Sequence, residues 1–376
     1  MKGSLGLVGL CLALAACAAP TRAVMTGPAS GAPTSARLEL RWQASLVSDE
    51  PWEWRPVEYS QPLYIAQERL VVVGTSEGRL VALDADTGQE RWSVQTGARV
   101  DAPPSCDGEV IFVGNNGGLV TAVNLGGGKL WTAQVRGEVD GPAVFQGDVV
   151  VFQDTGDVVH ALDRETGKAR WTYTRELPDY FTVGGSSWPV ISGGRVLAGF
   201  SDGVLAALDL SDGDLVWGRN LSAGERDFVD VDSISVWGGV VYASSYAGGL
   251  YALDAESGEE RWHNELKGVS RVVRQGEALY ATSSSRYVVS LDAGSGELVW
   301  SYRHETGTPT HPALVGDVLL YGAAESSAYA TDRRSGAVLL EFDPRAGFNA
   351  PVTVEGEDVY LFSNGGTLYA MRLVVP

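Results

Sequence analysis

Ala82-Leu83-Asp84-Ala85-Asp86-Thr87-Gly88-Gln89-Glu90-Arg91-Trp92 reads as the end of one strand, a tight turn and the start of the next strand, and the pattern returns along the chain. Its Asp position is filled by Asp84, Asn124, Asp163, Asp209, Asp254, Asp292 and Asp332, at intervals of 40, 39, 46, 45, 38 and 40 residues. Eight residues after the Asp comes Trp92, Trp171, Trp217, Trp262 or Trp300. The second copy is one residue shorter and reaches Trp131 from Asn124, and the seventh carries Leu340 in place of Trp. A fixed period of about 40 residues marks an array of one repeated supersecondary unit.

Each position has a physical role. The apolar runs ahead of the Asp, such as Leu80-Val81-Ala82-Leu83 and Leu250-Tyr251-Ala252-Leu253, have the character of buried strands. A small Ala within them lets neighbouring sheets approach. The Asp can accept N–H bonds inside the turn, and the Gly supplies a positive φ that other residues resist. A rigid Trp at the same point of each unit is suited to wedge between neighbours. A further strand pair stands ahead of each hairpin, as in Pro142-Ala143-Val144-Phe145 followed by Val149-Val150-Val151-Phe152. Four strands in about 40 residues make one blade of a β-propeller.

Seven hairpins of this type are present, and Gly366-Thr367-Leu368-Tyr369-Ala370-Met371 is an eighth inner strand without a Trp strand of its own. The missing piece stands at the front, where Leu38 to Leu46 contains Arg41-Trp42, the pair seen again at Arg91-Trp92. The expectation is an all-β, eight-bladed propeller over residues 38–376, four antiparallel strands per blade, closed by the N-terminal strand. The docking residues are then Trp42, Trp92, Trp131, Trp171, Trp217, Trp262 and Trp300.

Composition agrees with one large all-β domain: 44% of residues are hydrophobic, and 47 Gly accompany few helical patterns. With 28 Lys and Arg against 47 Asp and Glu, the formal charge is −19, which repels phosphate backbones and argues against nucleic-acid binding.

Lys2 and the apolar run Leu5 to Leu14 form a secretory signal, too short to span a bilayer. Leu14-Ala15-Ala16-Cys17 resembles the bacterial lipobox, which implies cleavage after residue 16 and lipidation of Cys17. Ala18 and Ala19 follow in place of an Asp that would resemble an inner-membrane retention signal, so the implied destination is the periplasmic face of the outer membrane. Residues 17–37 read as the lipidated Cys and a flexible tether rich in Ala, Pro, Gly, Ser and Thr. Cys11 belongs to the leader, leaving Cys106 as the only thiol of the folded domain, without an intrachain partner.

The repeat Ala-Leu-Asp-x-x-Thr-Gly-x-x-x-Trp resembles the tryptophan-docking repeat of pyrroloquinoline-quinone-type propellers, a fold that serves more than one function. The order of lipobox, tether and single propeller resembles the BamB family of outer-membrane lipoproteins, which assist β-barrel insertion by binding the barrel component BamA. The resemblance implies a non-enzymatic scaffold, monomeric within a complex, with BamA and the outer membrane as partners. Asp230-Val231-Asp232 matches an Asp-Val-Asp loop that lies at the BamA contact in that family. Phe181-Thr182-Val183-Gly184, ahead of Trp188-Pro189, corresponds to a second contact loop of alternating apolar residues and then Arg. Phe181 and Val183 keep the apolar character, and Gly184 stands where the family has Arg. The wide intervals, 46 and 45 residues, fall on these two loops.

Two other readings share the fold. Quinoprotein dehydrogenases hold a quinone and Ca²⁺ in a central pocket and resemble one another in an adjacent Cys-Cys pair, which this chain lacks. A periplasmic propeller with an unrelated protein partner is the other. No cofactor and no metal site are expected. Asp84-x-Asp86-x-Gly88 has no Glu at the spacing of a calcium loop. Gly126-Gly127-Gly128-Lys129 is followed by Leu130 where a phosphate loop needs Ser or Thr. His160, His263, His304 and His311 have no metal-binding spacing, and Gly184-Gly185-Ser186-Ser187-Trp188 lacks the closing Gly of a nucleophile elbow.

Overall fold

The computed structural model describes residues 35–48, 57–184 and 187–375; the leader, Cys17 and most of the tether lie outside the described residues. Thirty-two strands form eight four-stranded antiparallel sheets, and seven of them are built from consecutive strands. The first blade, for example, is Leu63–Ile65, Leu70–Gly74, Arg79–Asp84 and Glu90–Gln95. First strands of neighbouring blades touch, as Val144–Gln146 touches Val190–Ser192, so they line the axis and the fourth strands form the rim.

The eighth blade takes Thr353–Glu355, Asp358–Phe362 and Thr367–Val374 from the C-terminus and its rim strand, Arg37–Ser45, from the front of the chain. Trp42 pairs with Ala370 and Gln43 with Tyr369. The strand expected as inner, Thr367–Val374, is third in its sheet, beside the rim strand.

Every blade shares one irregularity. Opposite the third strand, the rim strand carries one extra residue just before the Trp position, as at Ala82/Leu83 against Glu90–Trp92. Such a bulge increases the local twist and re-aims the following side chain. In six blades of the repeat and the closing one, the Trp sits across from a small residue: Ala82, Ala122, Ala161, Ala207, Ala252, Ser290 and Ala370. That is why the centre of the third strand is small.

The indole then reaches the next blade. Trp42 donates its Nε1–H to the Ala85 carbonyl at 2.8 Å, and Trp92, Trp131, Trp171, Trp217, Trp262 and Trp300 do the same to Leu125, Arg164, Leu210, Ala255, Ala293 and Arg333. Each ring lies over the turn Gly of that next blade. A Cβ on Gly88, whose φ is +72°, would come within 2.6 Å of the Trp42 ring. The Gly of the repeat is thus required twice, by the turn and by the ring above it. The one Trp-less repeat follows from the same rule. Leu340 faces the eighth blade, whose third and fourth strands come from opposite ends of the chain and so have no connecting hairpin turn. Leu340 instead packs among Leu38, Met371 and Leu373.

The turns behave as expected of the Asp position. Asp84 Oδ1 accepts the N–H groups of Asp86 and Thr87, and Asn124 Oδ1 those of Gly126 and Gly128. Three bulge arginines clamp the same Asp: Arg91 to Asp84, Arg170 to Asp163, Arg261 to Asp254. The arginine, with the turn hydroxyl and N–H groups, draws the carboxyls of Asp163 and Asp254 down to about 2. Arg41 plays the part at the closure, reaching Asp358 of its own blade at 2.8 Å and Asp86 of the first blade at 3.2 Å.

Candidate functional site

One end of the propeller carries the loops that pass from each rim strand to the next first strand, together with the turns between second and third strands. Two of these inter-blade loops are long: one leads from Ala169–Thr174 to Val190–Ser192, the other from Leu215–Asn220 to Val231–Trp237. They lie side by side. The Phe228 N–H donates to the Phe181 carbonyl at 2.7 Å, and the Phe181 N–H reaches Asp227 Oδ1 at 3.4 Å. The Phe181 and Phe228 rings stack with centres 6.1 Å apart, and Tyr246 lies 6.5 Å beyond Phe228. Phe181 is 72% exposed, Val183 45% and Phe228 44%. Apolar rings held together at this exposure gain little from burial within the chain and form an exposed apolar patch.

Phe228 adopts φ +57°, a region a bulky residue enters only when its surroundings impose it. Its N–H and C=O are both engaged, by Phe181 and by the Ala247 N–H at 2.8 Å, and these bonds hold the ring outward.

Asp230 is placed differently from its neighbours. Its side chain is buried at 6% exposure, and its carboxylate accepts the Val183 N–H at 3.0 Å and the Gly184 N–H at 3.4 Å. Its own carbonyl accepts the Tyr246 N–H. Asp230 therefore positions the Phe181–Gly184 segment from beneath. Asp232 lies in strand Val231–Trp237 at a bulge, between the Val231–Ser245 and Ser233–Ser244 pairs. Gly184, at φ +77°, has open space around its Cα. Replacing Asp230 by Asn removes a charged acceptor from two N–H groups. Amide exchange at Val183 and Gly184 is expected to quicken about tenfold, with the midpoint of global unfolding little changed; hydrogen-exchange mass spectrometry or NMR checks it.

Beneath Asp230 lies a second buried carboxylate. Asp157, at φ +57° in the turn of the third blade, accepts the Ser201 N–H at 3.1 Å and its hydroxyl at 3.2 Å. Burial, reinforced by the charges of Asp202 and Asp230, pushes its pKa up to about 6, although the Ser201 bonds oppose the shift. Arg175, whose guanidinium covers Phe200 at 5.7 Å, pairs with Asp202 rather than with Asp157.

The four histidines are dispersed. His160 meets Asp154 at 2.9 Å, His263 stacks on Tyr251, His304 bonds Tyr321 and His311 abuts Trp188. Cys106, in the first strand of the second blade, is half-buried, and burial pushes its thiol pKa up.

The structure brings Phe181, Val183 and Asp230, all named from the sequence, together with Phe228 and Tyr246, which the sequence reading did not name. The string Asp227-Phe228-Val229-Asp230 held the signal: an aromatic residue flanked by acids in a long loop.

Comparison with known proteins gives a consistent outcome. The outer membrane protein assembly factor BamB of Shewanella oneidensis is 24% identical over 317 residues, covering 82% of this chain and 70% of that protein. The crystal structure of BamB from Moraxella catarrhalis superposes with a TM-score of 0.78 at 21% identity, covering 89% of this chain and all of that one. Quinohemoprotein alcohol dehydrogenase from Comamonas testosteroni shares the propeller with a TM-score of 0.71 at 14% identity, over 89% of this chain and 76% of that one. Likeness at those identities speaks to the fold. The family model described as outer membrane protein assembly factor BamB matches residues 37–129, 76–302 and 284–373, nearly every residue of the propeller, and the chain belongs to that family.

Proposed function

We propose that this protein is a lipid-anchored, non-enzymatic scaffold of the outer-membrane β-barrel assembly machinery, held at the periplasmic face through Cys17, and that it docks BamA through the paired loops around Phe181 and Phe228. The observation that carries this is the division of labour between the loops. Their buried acid, Asp230, is engaged with backbone N–H groups, while Phe181, Val183 and Phe228 are turned to solvent. A site of that make-up binds a surface; it offers no arrangement of nucleophile and base. Family membership supports the assembly role, since the relatives carry the name of outer membrane protein assembly factor.

The test is capture of BamA from crosslinked membranes. Phe181→Ala combined with Phe228→Ala is expected to reduce capture at least about tenfold, with the unfolding midpoint unchanged because both rings are exposed. Undiminished capture would remove these loops as the contact. Cys17→Ser is expected to release the protein into the soluble periplasmic fraction.

A further inference from the structure

Trp188, Arg271 and His311 converge inside the central channel. The Arg271 guanidinium carbon lies 5.6 Å from the centre of the Trp188 ring, and His311 meets the same indole edge-on with centres 5.1 Å apart. Two cavities of about 300 Å³ each share Trp188, Arg271 and Gln61 in their walls. Val236 and Trp237 line one, Tyr64 and Pro103 the other.

The other part-buried arginines of the described residues hold a carboxylate or a main-chain carbonyl, as Arg99 holds Asp101, Arg164 holds Asp107 and Arg195 holds the Glu256 carbonyl. Among the described residues Arg271 finds neither, and its guanidinium lies over the face of Trp188. In a chain of net charge −19, a cation withdrawn from water without a counter-charge is an anomaly. Burial alone draws its pKa below the ordinary arginine value. His311 adds no charge near neutral pH, because burial and Arg271 push its pKa down to about 4. Glu355, in the wall of one cavity, is exposed and forms no ion pair with Arg271.

We propose that Arg271 and Trp188 form a binding site for a small organic carboxylate with an apolar body. Stacking on Trp188 occupies the guanidinium's face and leaves its N–H edge for two parallel bonds to a carboxylate. The valine, tryptophan and proline walls suit an apolar body, and the absence of a second cation among the described wall residues disfavours a dianion such as phosphate. Trp188 stands at the far end of the first paired loop, but the site uses neither Phe181 nor Phe228, and the proposal is independent of the docking role.

The mature protein is titrated calorimetrically with 3-phenylpropionate, 3-phenylpropanamide and inorganic phosphate. The acid is expected to bind saturably, and the amide and phosphate at least about tenfold more weakly. Arg271→Gln is expected to reduce the acid to the level of the amide, and Arg271→Lys to lose part of the affinity. Equal binding of acid and amide, preference for phosphate, undiminished binding by a folded Arg271→Gln variant, or no saturable binding at millimolar concentrations would each overturn the proposal. Should circular dichroism show Arg271→Gln unfolded, the acid–amide contrast on the parent protein decides.

Discussion

Trp42→Ala is expected to lower the stability of the propeller by about 3–5 kcal/mol, more than a rim-strand residue near the chain's start would ordinarily cost. Three things are lost at one stroke. The ring leaves a cavity among Tyr360, Leu83 and Ala370, all fully or nearly fully buried. The Ala85 carbonyl loses its donor, and the face of the Gly88 turn loses its cover. The eighth blade has no hairpin between its third and fourth strands, so the N-terminal strand is held in the ring by pairing and by side chains alone, this contact and Arg41–Asp86 among them. A ring opened there exposes strand edges that pairing had hidden. Urea unfolding followed by tryptophan fluorescence and by circular dichroism measures the midpoint shift. Leu340→Trp serves as the control. It restores the consensus residue yet is expected to stabilise nothing, because the eighth blade has no turn Gly on which an indole can lie. A stabilised Leu340→Trp variant would show that the indole needs no such seat.

The repeat was legible because its three determinants are local. An Asp that caps its own turn, a Gly that supplies positive φ and a Trp at fixed distance act within eleven residues, so the period could be read and the blades counted. Even the closure was legible, since Arg41-Trp42 is a fragment of the same motif. What each Trp seeks was not legible, because the seat belongs to the following blade, about 40 residues on. The exception at Leu340 made sense only once that seat was known. Long-range pairings also hid the loop architecture. Asp230 looks like one acid of an exposed cluster, yet it is buried by Val183 and Gly184, 47 and 46 residues earlier in the chain. Phe228 has no periodicity to mark it, and its outward aim depends on a backbone conformation held by two other loops. Asp157 reads as one more turn residue; only the fold brings Ser201 over it.

Asp157→Asn is expected to stabilise the protein by about 1–3 kcal/mol at pH 7.5 and to leave it unchanged near pH 4. Unfolded, the carboxyl titrates near its ordinary value of 3.8; folded, burial and the neighbouring Asp202 and Asp230 hold its pKa at about 6. The folded state therefore keeps the proton over a pH range in which the unfolded state has released it, and stability falls as pH rises through that range. At about 1.4 kcal/mol for each pH unit separating the two values, the full penalty above pH 6 is about 3 kcal/mol. The lower end of the expected range allows for an amide nitrogen that cannot accept as the second carboxylate oxygen did. His304 works in the opposite direction: burial pushes its pKa down to about 4, so its contribution is lost as pH falls from 6.5 toward 4. His311 acts in the same sense as His304, so the parent protein shows opposed slopes between pH 4 and 6.5, one from Asp157 and the other from the two histidines. Asp157→Asn removes the first slope, and its stability should rise more steeply across that window than the parent's. Thermal or urea unfolding of both proteins at half-unit pH steps resolves the difference, and parallel profiles would mean that Asp157 is ionised in the fold at no cost. Asp230→Asn supplies the link to the docking loops. Removing that neighbouring charge is expected to move the Asp157 midpoint downward, which ties the protonation of a buried turn to the residue that holds Val183 and Gly184 in place.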